Sequence, residues 1–304
     1  MSGNDGQWRL LFRNQGDPDY LDLTPTPSGP FLEAPPSGLD LADTQTTDSS
    51  TVQRDGREMY TDTYGPRTIE FAITYPNESC AECDSRRDVA EVMARWARTC
   101  PSSELIIATD CTDPSIPVLE SISNDPVERS LLGPYIVRGR PRRAPVTHGR
   151  SDTGLSRIEF QFQGDDHRIG VLQPDPIDGE PSEIQCLELS PDGTPQDAAN
   201  YGDTYVYPEI RLVGPLTGPV QIFRSGADDT PIVYDGSVTD SVLIDTERRK
   251  AWLSDGTDVS LDVTWGWRRA AARLSFLGLV WIETGDAGDA GHVEYCYGTY
   301  VRGI

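Results

Sequence analysis

Apolar and polar residues alternate with a period of two along much of the chain, a pattern typical of half-buried β-strands. The clearest case is 67–75, where every second residue from Ile69 to Tyr75 is apolar or aromatic. In the first half the pattern predicts strands at 7–13, 67–75, 104–109, 116–120, 135–140, 157–163 and 168–172. In the second half it predicts strands within 200–215 and at 220–223, 232–234, 241–246, 251–253, 259–265, 279–283 and 293–301.

Residues 84–99 instead show the period of an amphipathic helix. Their apolar positions fall three and four residues apart and form one stripe: Val89, Val92, Met93 and Trp96. Asp84 can cap the N-terminus, and Pro101 follows the last turn, where proline ends a helix. A single helix among many strands predicts a mainly β fold with an α+β N-terminal part, and not an alternating βαβ series.

Two turn-rich segments divide the chain. Residues 14–50 are rich in proline and glycine and have little periodicity, so we interpret them as a long loop or arm of the kind that often mediates interactions. Residues 173–184 form the clearest linker. We therefore predict an N-terminal domain over 1–180, containing the arm and the helix, and a C-terminal β-sandwich of about eight short strands over 183–304.

The chain is strongly acidic, with 49 acidic and 26 basic residues and a net charge of −23. Lys250 is the only lysine. Codon usage in a high-GC genome and adaptation to high salt are both compatible with this composition, and the sequence does not separate them. Sequence-specific nucleic-acid binding is not expected, because a basic footprint is missing. Membrane insertion is not expected either, since no apolar run has membrane-spanning length.

Four cysteines form the sharpest local signal: Cys80, Cys83, Cys100 and Cys111. One C-x-x-C pair with two further cysteines can bind a structural zinc ion in tetrahedral geometry. Disulfides and free buried thiols remain alternatives, and no other cofactor is indicated. Cys186 and Cys296 are expected on strands of the second domain as buried single thiols.

No motif for nucleophilic, phosphate-binding or metalloprotease chemistry is present, so we predict no catalytic residue and no enzyme. Three histidines are expected in or beside turns: His148, His167 and His292. The loop from Asp286 to Asp289 resembles a calcium-binding loop only weakly, and we interpret it as a hairpin tip. Three tryptophans could line a sugar site, although core packing is the favoured interpretation: Trp265, Trp267 and Trp281.

The stretch 200–215 carries a family resemblance, in the pattern Asn200-x-Gly202-Asp203-x3-Tyr207-Pro208-x-Ile210-x3-Gly214-Pro215. It resembles the signature that opens the C-terminal domain of distal tail proteins (the Dit family) of siphovirus-type tailed viruses. Further similar features follow in the family's order, namely 242–246 ending in Asp-Thr, the 251–256 strand and Asp-Gly hairpin, and the aromatic strand 293–301. The resemblance covers 183–304 well and 1–180 loosely. Three features depart from the family's pattern: the sequence of the 276–280 segment, the presence of the cysteine quartet and the length of the arm.

This resemblance implies a structural virion protein at the distal tail tip. Family members have an N-terminal split-barrel "belt" domain, which closes into a hexameric ring, and a peripheral galectin-like β-sandwich. Such a ring joins the tail tube to the tail hub and tape-measure proteins and is a platform for receptor-binding or fibre proteins. The arm and the sheet edges would then join subunits by strand addition. The alternatives are a carbohydrate-binding adhesin built on the sandwich and, more remotely, a β-rich hydrolase.

Overall fold

A computed structural model describes the chain at residues 8–24, 30–32, 34–40, 44–45, 63–64, 66–75, 90–98, 102–109, 133–142, 144–148, 156–165, 168–174, 181–198, 200, 202, 206–225, 230–267 and 278–301. The fold is mainly β, as predicted, and the described residues contain one α-helix. They separate into two compact units, the first before Gly170 and the second from Gly170 to Val301. The described part of the chain has no helix that is long and apolar enough to cross a membrane.

The first unit is built on one antiparallel sheet. Its described strands are β1 (Trp8–Asn14), β2 (Leu21–Asp22), β3 (Phe31–Leu32), β4 (Thr44–Gln45), β5 (Thr63–Tyr64), β6 (Thr68–Tyr75), β7 (Ser103–Thr109), β8 (Tyr135–Pro141), β9 (Val146–His148) and β10 (Ser156–Gly164). The sheet has the order β2–β1–β7–β8–β10–β6–β3, and β9 also pairs with β10. Strands β4 and β5 form a separate two-stranded ribbon. Because β6 and β10 pair along their whole length, their alternating apolar residues share one face.

A helix, α1 (90–96), covers the apolar face of this sheet. Trp96 is 1% exposed, and its ring centroid lies 4.7 Å from that of Phe12 and 4.9 Å from that of Phe160. Val92, one turn earlier, is also buried, which confirms this part of the predicted stripe. The predicted helix residues 84–89 lie outside the described residues.

Part of the predicted arm 14–50 packs against the sheet of its own unit. Strand β3 pairs with β6, and the following residues 34–40 continue along the same edge. The buried guanidinium of Arg67 donates hydrogen bonds to the carbonyl oxygens of Gly38 (2.5 Å) and Asp40 (2.7 Å). Residues 31–32 and 34–40 of the arm therefore extend the sheet of their own unit, and the predicted role of the arm in strand addition between subunits stays a prediction.

The second unit is a β-sandwich. From Ile169 the strands are β11 (Ile169–Val171), β12 (Gln173–Pro174), β13 (Pro181–Ser182), β14 (Ile184–Leu189), β15 (Gln196–Asp197), β16 (Glu209–Val213), β17 (Val220–Arg224), β18 (Ile232–Tyr234), β19 (Ser241–Asp245), β20 (Lys250–Leu253), β21 (Val263–Thr264), β22 (Leu279–Glu283), β23 (His292–Gly298) and β24 (Tyr300–Val301). One five-stranded sheet of the sandwich has the order β14–β23–β16–β19–β20 and the other β15–β22–β17–β18–β21. Strand β11 pairs with β24, and β12 with β13, outside these two sheets. Inward residues of both sheets form one apolar core.

Some of the predicted strands and boundaries differ from the structure, and others lie outside the described residues. The predicted strand 259–265 is wrong for its first half, which is a 3₁₀-helix (Ser260–Asp262) preceding the short strand β21. Strand β14 was expected only as the strand that carries Cys186, without bounds, and it begins at Ile184, where the predicted linker ends. The predicted linker itself contains the β12–β13 ribbon. The predicted strand 116–120 lies outside the described residues, and the domain limits 1–180 and 183–304 stay a prediction.

Candidate functional site

The predicted metal site cannot be placed on the fold. Cys80, Cys83, Cys100 and Cys111 all lie outside the described residues, so the structural zinc ion stays a prediction. Within the part of the chain that the structure describes, no cluster of three or more histidine, cysteine or acidic residues could hold a metal ion.

Cys186 and Cys296 form a disulfide, so the prediction of two single thiols is wrong. The two residues lie directly opposite each other on β14 and β23, with their Cα atoms 4.1 Å apart. Their separation of 110 residues in sequence concealed this pairing. Both are only partly buried, and by alternation they share the outer face of their sheet with Glu188 and Glu294.

Of the three tryptophans considered for a sugar site, Trp267 is buried, whereas Trp265 and Trp281 are only partly buried. Trp267 is buried, and its indole N–H donates a hydrogen bond to the carbonyl oxygen of Ile222 at 3.1 Å, as expected for a core residue. Trp281 stacks on Phe223 with ring centroids 5.4 Å apart and an interplanar angle of 6°. The ring faces that Phe223 and Trp281 turn to each other are therefore closed to a sugar ring.

The loop from Asp286 to Asp289 is a hydrogen-bonded turn. The carboxylate of Asp289 accepts hydrogen bonds from the backbone N–H (2.5 Å) and the hydroxyl (3.0 Å) of Thr217. The carboxylate of Asp286 accepts one from the N–H of Gly288 at 2.9 Å. Protein donors thus engage both carboxylates, which favours the interpretation as a hairpin tip over a calcium loop.

A charged network crosses the outer face of the first unit. Glu104 on β7 lies between Arg13 on β1 and Arg138 on β8. Its carboxylate accepts hydrogen bonds from Arg13 Nε (3.0 Å) and the Tyr20 hydroxyl (2.7 Å), and an ion pair joins it to Arg138 (3.0 Å). The Arg13 guanidinium also lies 4.1 Å from the centroid of the Tyr20 ring.

This network shifts two pKa values in opposite directions. Burial disfavours the charged form of Glu104, but hydrogen bonds from Tyr20 and Arg13 and the charge of Arg138 outweigh it, so the pKa of Glu104 is lowered. Burial and the hydrogen bond to Glu104 raise the pKa of Tyr20. Neither shift produces a group that titrates near neutral pH, which favours a structural role for the network.

A groove of about 280 Å³ lies between the arm and the outer face of β6 and β10. It contains two carboxylates, Glu70 and Glu159, the arrangement that a hydrolase would require. Glu159 forms an ion pair with Arg157 at 2.9 Å, and Glu70 accepts a hydrogen bond from the Gln161 amide. Both carboxylates are thus engaged by neighbouring side chains, and the remote hydrolase alternative gains no support here.

Sequence analysis missed a row of arginines on β8. Arg138 and Arg140 occupy alternate positions, and Arg142 continues the same row beyond the strand end, so all three side chains lie on the outer face. Each of the three is exposed. The signal was present in the sequence, because residues 138–157 contain six arginines and a single acid, Asp152.

Comparisons with known proteins identify the fold. No protein-family model matches the chain, and no curated protein sequence matches it. Among solved structures it is similar to the Dit protein (gp 19.1) of phage SPP1, described as a paradigm of the hub adsorption apparatus in phages that infect Gram-positive bacteria. That match has a TM-score of 0.51 and 13% identity and covers 96% of this chain and 98% of the other.

The phage P2 baseplate in its activated conformation gives lower TM-scores. The calcium form has a TM-score of 0.36 and 12% identity and covers 95% of this chain and 97% of the other. The strontium form has a TM-score of 0.33 with the same identity and coverage. The similarity in fold to the Dit protein of phage SPP1 is the one that the 200–215 stretch led us to expect.

Proposed function

We propose that the chain is a structural protein of a viral tail tip, where it belongs to the hub that carries the adsorption apparatus. The observation that carries this proposal is the likeness in fold to the Dit protein of phage SPP1, which extends over 96% of the chain. Because so much of the chain is matched, the likeness includes both the sheet of the first unit and the sandwich of the second.

In its finer form the proposal is a closed homo-oligomeric ring of six copies at the distal end of the tail. Identical copies joined by a heterologous contact form a ring when the rotation between neighbours closes. The ring would join the tail tube to the hub and tape-measure proteins and would support receptor-binding or fibre proteins. The Cys186–Cys296 disulfide supports a place on the virion exterior, since such bonds persist in oxidising surroundings.

A scaffold role without catalysis agrees with the described side chains. The carboxylates of the 280 Å³ groove are paired, and the perturbed groups Glu104 and Tyr20 stabilise the sheet that carries them. The adhesin alternative loses one residue of its predicted platform, because Trp267 is in the core, and the stack of Trp281 on Phe223 closes one face of each of these two rings.

Three measurements test the proposal on the full chain. Native mass spectrometry across low and high salt should detect a closed oligomer of six copies, and class averages from electron microscopy should show a ring. Immunogold labelling of intact particles with an antibody to the chain should place gold at the end of the tail. A strictly monomeric chain under all conditions, together with label on the capsid or tail shaft, would sink the proposal.

A further inference from the structure

The basic residues of this acidic chain are unevenly distributed. Residues 138–157 contain six arginines and one acid, whereas the chain as a whole has 49 acidic and 26 basic residues. Residues 170–301, the larger part of the second unit, include 22 acidic and 8 basic residues. Residues 138–157 are therefore strongly basic, although the molecule as a whole has a net charge of −23.

The fold arranges part of this segment as a linear feature. Three arginines, which we call the arginine strip, occupy alternate positions along β8 and just beyond its end: Arg138, Arg140 and Arg142. In extended chain, the Cα atoms of alternate residues are about 6.6 Å apart. Arg140 is opposite the neutral Gln163 on β10. Among the described residues no partner engages the guanidinium of Arg140, and the guanidinium of Arg142 makes only a long 3.4 Å contact with the hydroxyl of Thr68.

The acidic groups near the strip do not neutralise it, so the strip keeps an excess of positive charge. Glu104 is shared between Arg138 and Arg13. Glu70, on the next strand but one, accepts a hydrogen bond from Gln161, and Asp165 is exposed after the end of β10. Neither of these two acids forms an ion pair with Arg140 or Arg142 among the described contacts. These two guanidinium groups are thus available to an anionic partner.

We propose that the arginine strip binds an acidic surface of a second copy of this chain and is the electrostatic contact between neighbours in the ring. The inference rests on the ring of the proposed function. Two copies of charge −23 repel each other wherever acidic surfaces meet, so close approach is favoured where one copy presents arginines. Arginine also suits such contacts because its planar fork binds carboxylates through two hydrogen bonds.

The composition favours a second copy over nucleic acid as the occupant. A nucleic acid is repelled by the acidic remainder of the molecule and offers it no basic surface in return. A second copy offers both signs, because each copy donates one arginine strip and receives another on its acidic surface. Such a contact is heterologous, which is the kind of contact that closes into a ring.

The test uses single variants of the full chain with a matched control. Arg140→Glu and Arg142→Glu each change the net charge by two, and so does Arg248→Glu, whose side chain is 76% exposed in the second unit. Sedimentation velocity gives the concentration at which half of the chain is assembled. We expect this concentration to rise at least about tenfold for Arg140→Glu and Arg142→Glu, and less than about twofold for Arg248→Glu.

Two further arms separate charge from shape. Arg140→Lys keeps the charge and should change the concentration at which half of the chain is assembled by no more than about threefold. Raising the salt to about 1 M shortens the screening length to about 3 Å. The half-assembly concentrations of wild type and Arg140→Glu should then lie closer together. Thermal melting of each variant checks that the fold is intact.

The outcomes separate this inference from the proposed function. Assembly of Arg140→Glu and Arg142→Glu at the wild-type concentration would overturn the inference and leave the ring standing. Loss of assembly in Arg248→Glu to the same degree would also overturn it, since total charge would then be the cause. A wild-type chain that never assembles would remove both. Binding of labelled double-stranded DNA that disappears in Arg140→Glu, with assembly unchanged, would assign the strip to nucleic acid.

Discussion

Glu104 is the side chain on which the charged network of the first unit depends, and replacing it with glutamine tests the structure most directly. Glu104 accepts hydrogen bonds from Arg13 and Tyr20 and pairs with Arg138, while only 13% of its side chain is exposed. Glutamine has nearly the same shape but no charge, so the substitution removes the electrostatic interaction and keeps the packing.

The expected loss follows from these contacts. A hydrogen bond to a charged group contributes about 1.5–3 kcal/mol, and several bonds to one group are not additive. The Arg13 and Arg138 side chains are 33% and 51% exposed, so water recovers part of the lost interaction. We therefore expect Glu104→Gln to lower the free energy of unfolding of the first unit by about 2 kcal/mol. For a unit of this size that corresponds to a fall in melting temperature of about 4–8 °C.

The pH dependence gives the sharper measurement. Because the folded-state pKa of Glu104 is lowered, its stabilisation is fully present above the unfolded-state pKa of about 4.3 and is lost as the pH falls through the folded value. The free energies of unfolding of wild type and variant, measured in urea, should therefore differ by the full amount at about pH 6–7 and converge below about pH 4. Glu70→Gln, an exposed acid on the same sheet face, is the control and should differ little at any pH.

A variant as stable as the wild type at neutral pH would refute this account. So would a difference that persists unchanged below about pH 3, because the loss would then come from packing and not from charge.

Three further variants test the packing. Trp96→Ala should lower the free energy of unfolding of the first unit by about 3–5 kcal/mol, measured by far-ultraviolet circular dichroism in urea. Gly139→Ala places a methyl carbon 2.0 Å from a backbone oxygen of β10 and should cost about 3 kcal/mol or more in the same assay, whereas Gly288→Ala should be nearly neutral. Joint replacement of Cys186 and Cys296 by alanine should cost the second unit about 2–4 kcal/mol, and a reducing agent should then lower the denaturation midpoint of the wild type only.

Sequence patterns predicted the elements whose periodicity is strict. The alternation in 67–75 specified β6 and its buried face, and the stripe through Val92 and Trp96 specified the side of the helix that packs on the sheet. In both cases one face of the element is buried, so the burial itself imposes the period on the sequence.

Other features depend on contacts that no local pattern records. Residues 259–265 alternate like a strand, yet Leu261 is 99% exposed. The Ser260 hydroxyl and N–H donate to the Asp258 carboxylate, and these local bonds turn the chain away from the extended conformation. The same limit applies to the Cys186–Cys296 pair, whose partners meet only when the sheet order is known.

The arginine strip was missed for a different reason. A net charge of −23 averages over the whole chain and hides a basic segment of twenty residues. A local count over 138–157 would have found the segment, but only the strand register shows that three of its arginines share one face.

The Cys186–Cys296 disulfide has a mechanical consequence. Among the described strands, β14 is at the edge of its sheet and is hydrogen-bonded to β23 alone. A tensile force on the chain ahead of such a strand peels it away one residue pair at a time. Here Ile184 and Gln185 are the only residues of β14 ahead of the bridge, so peeling stops after two residues. Any greater load passes through a covalent bond into β23, and the sandwich can bear tension without unravelling from this edge.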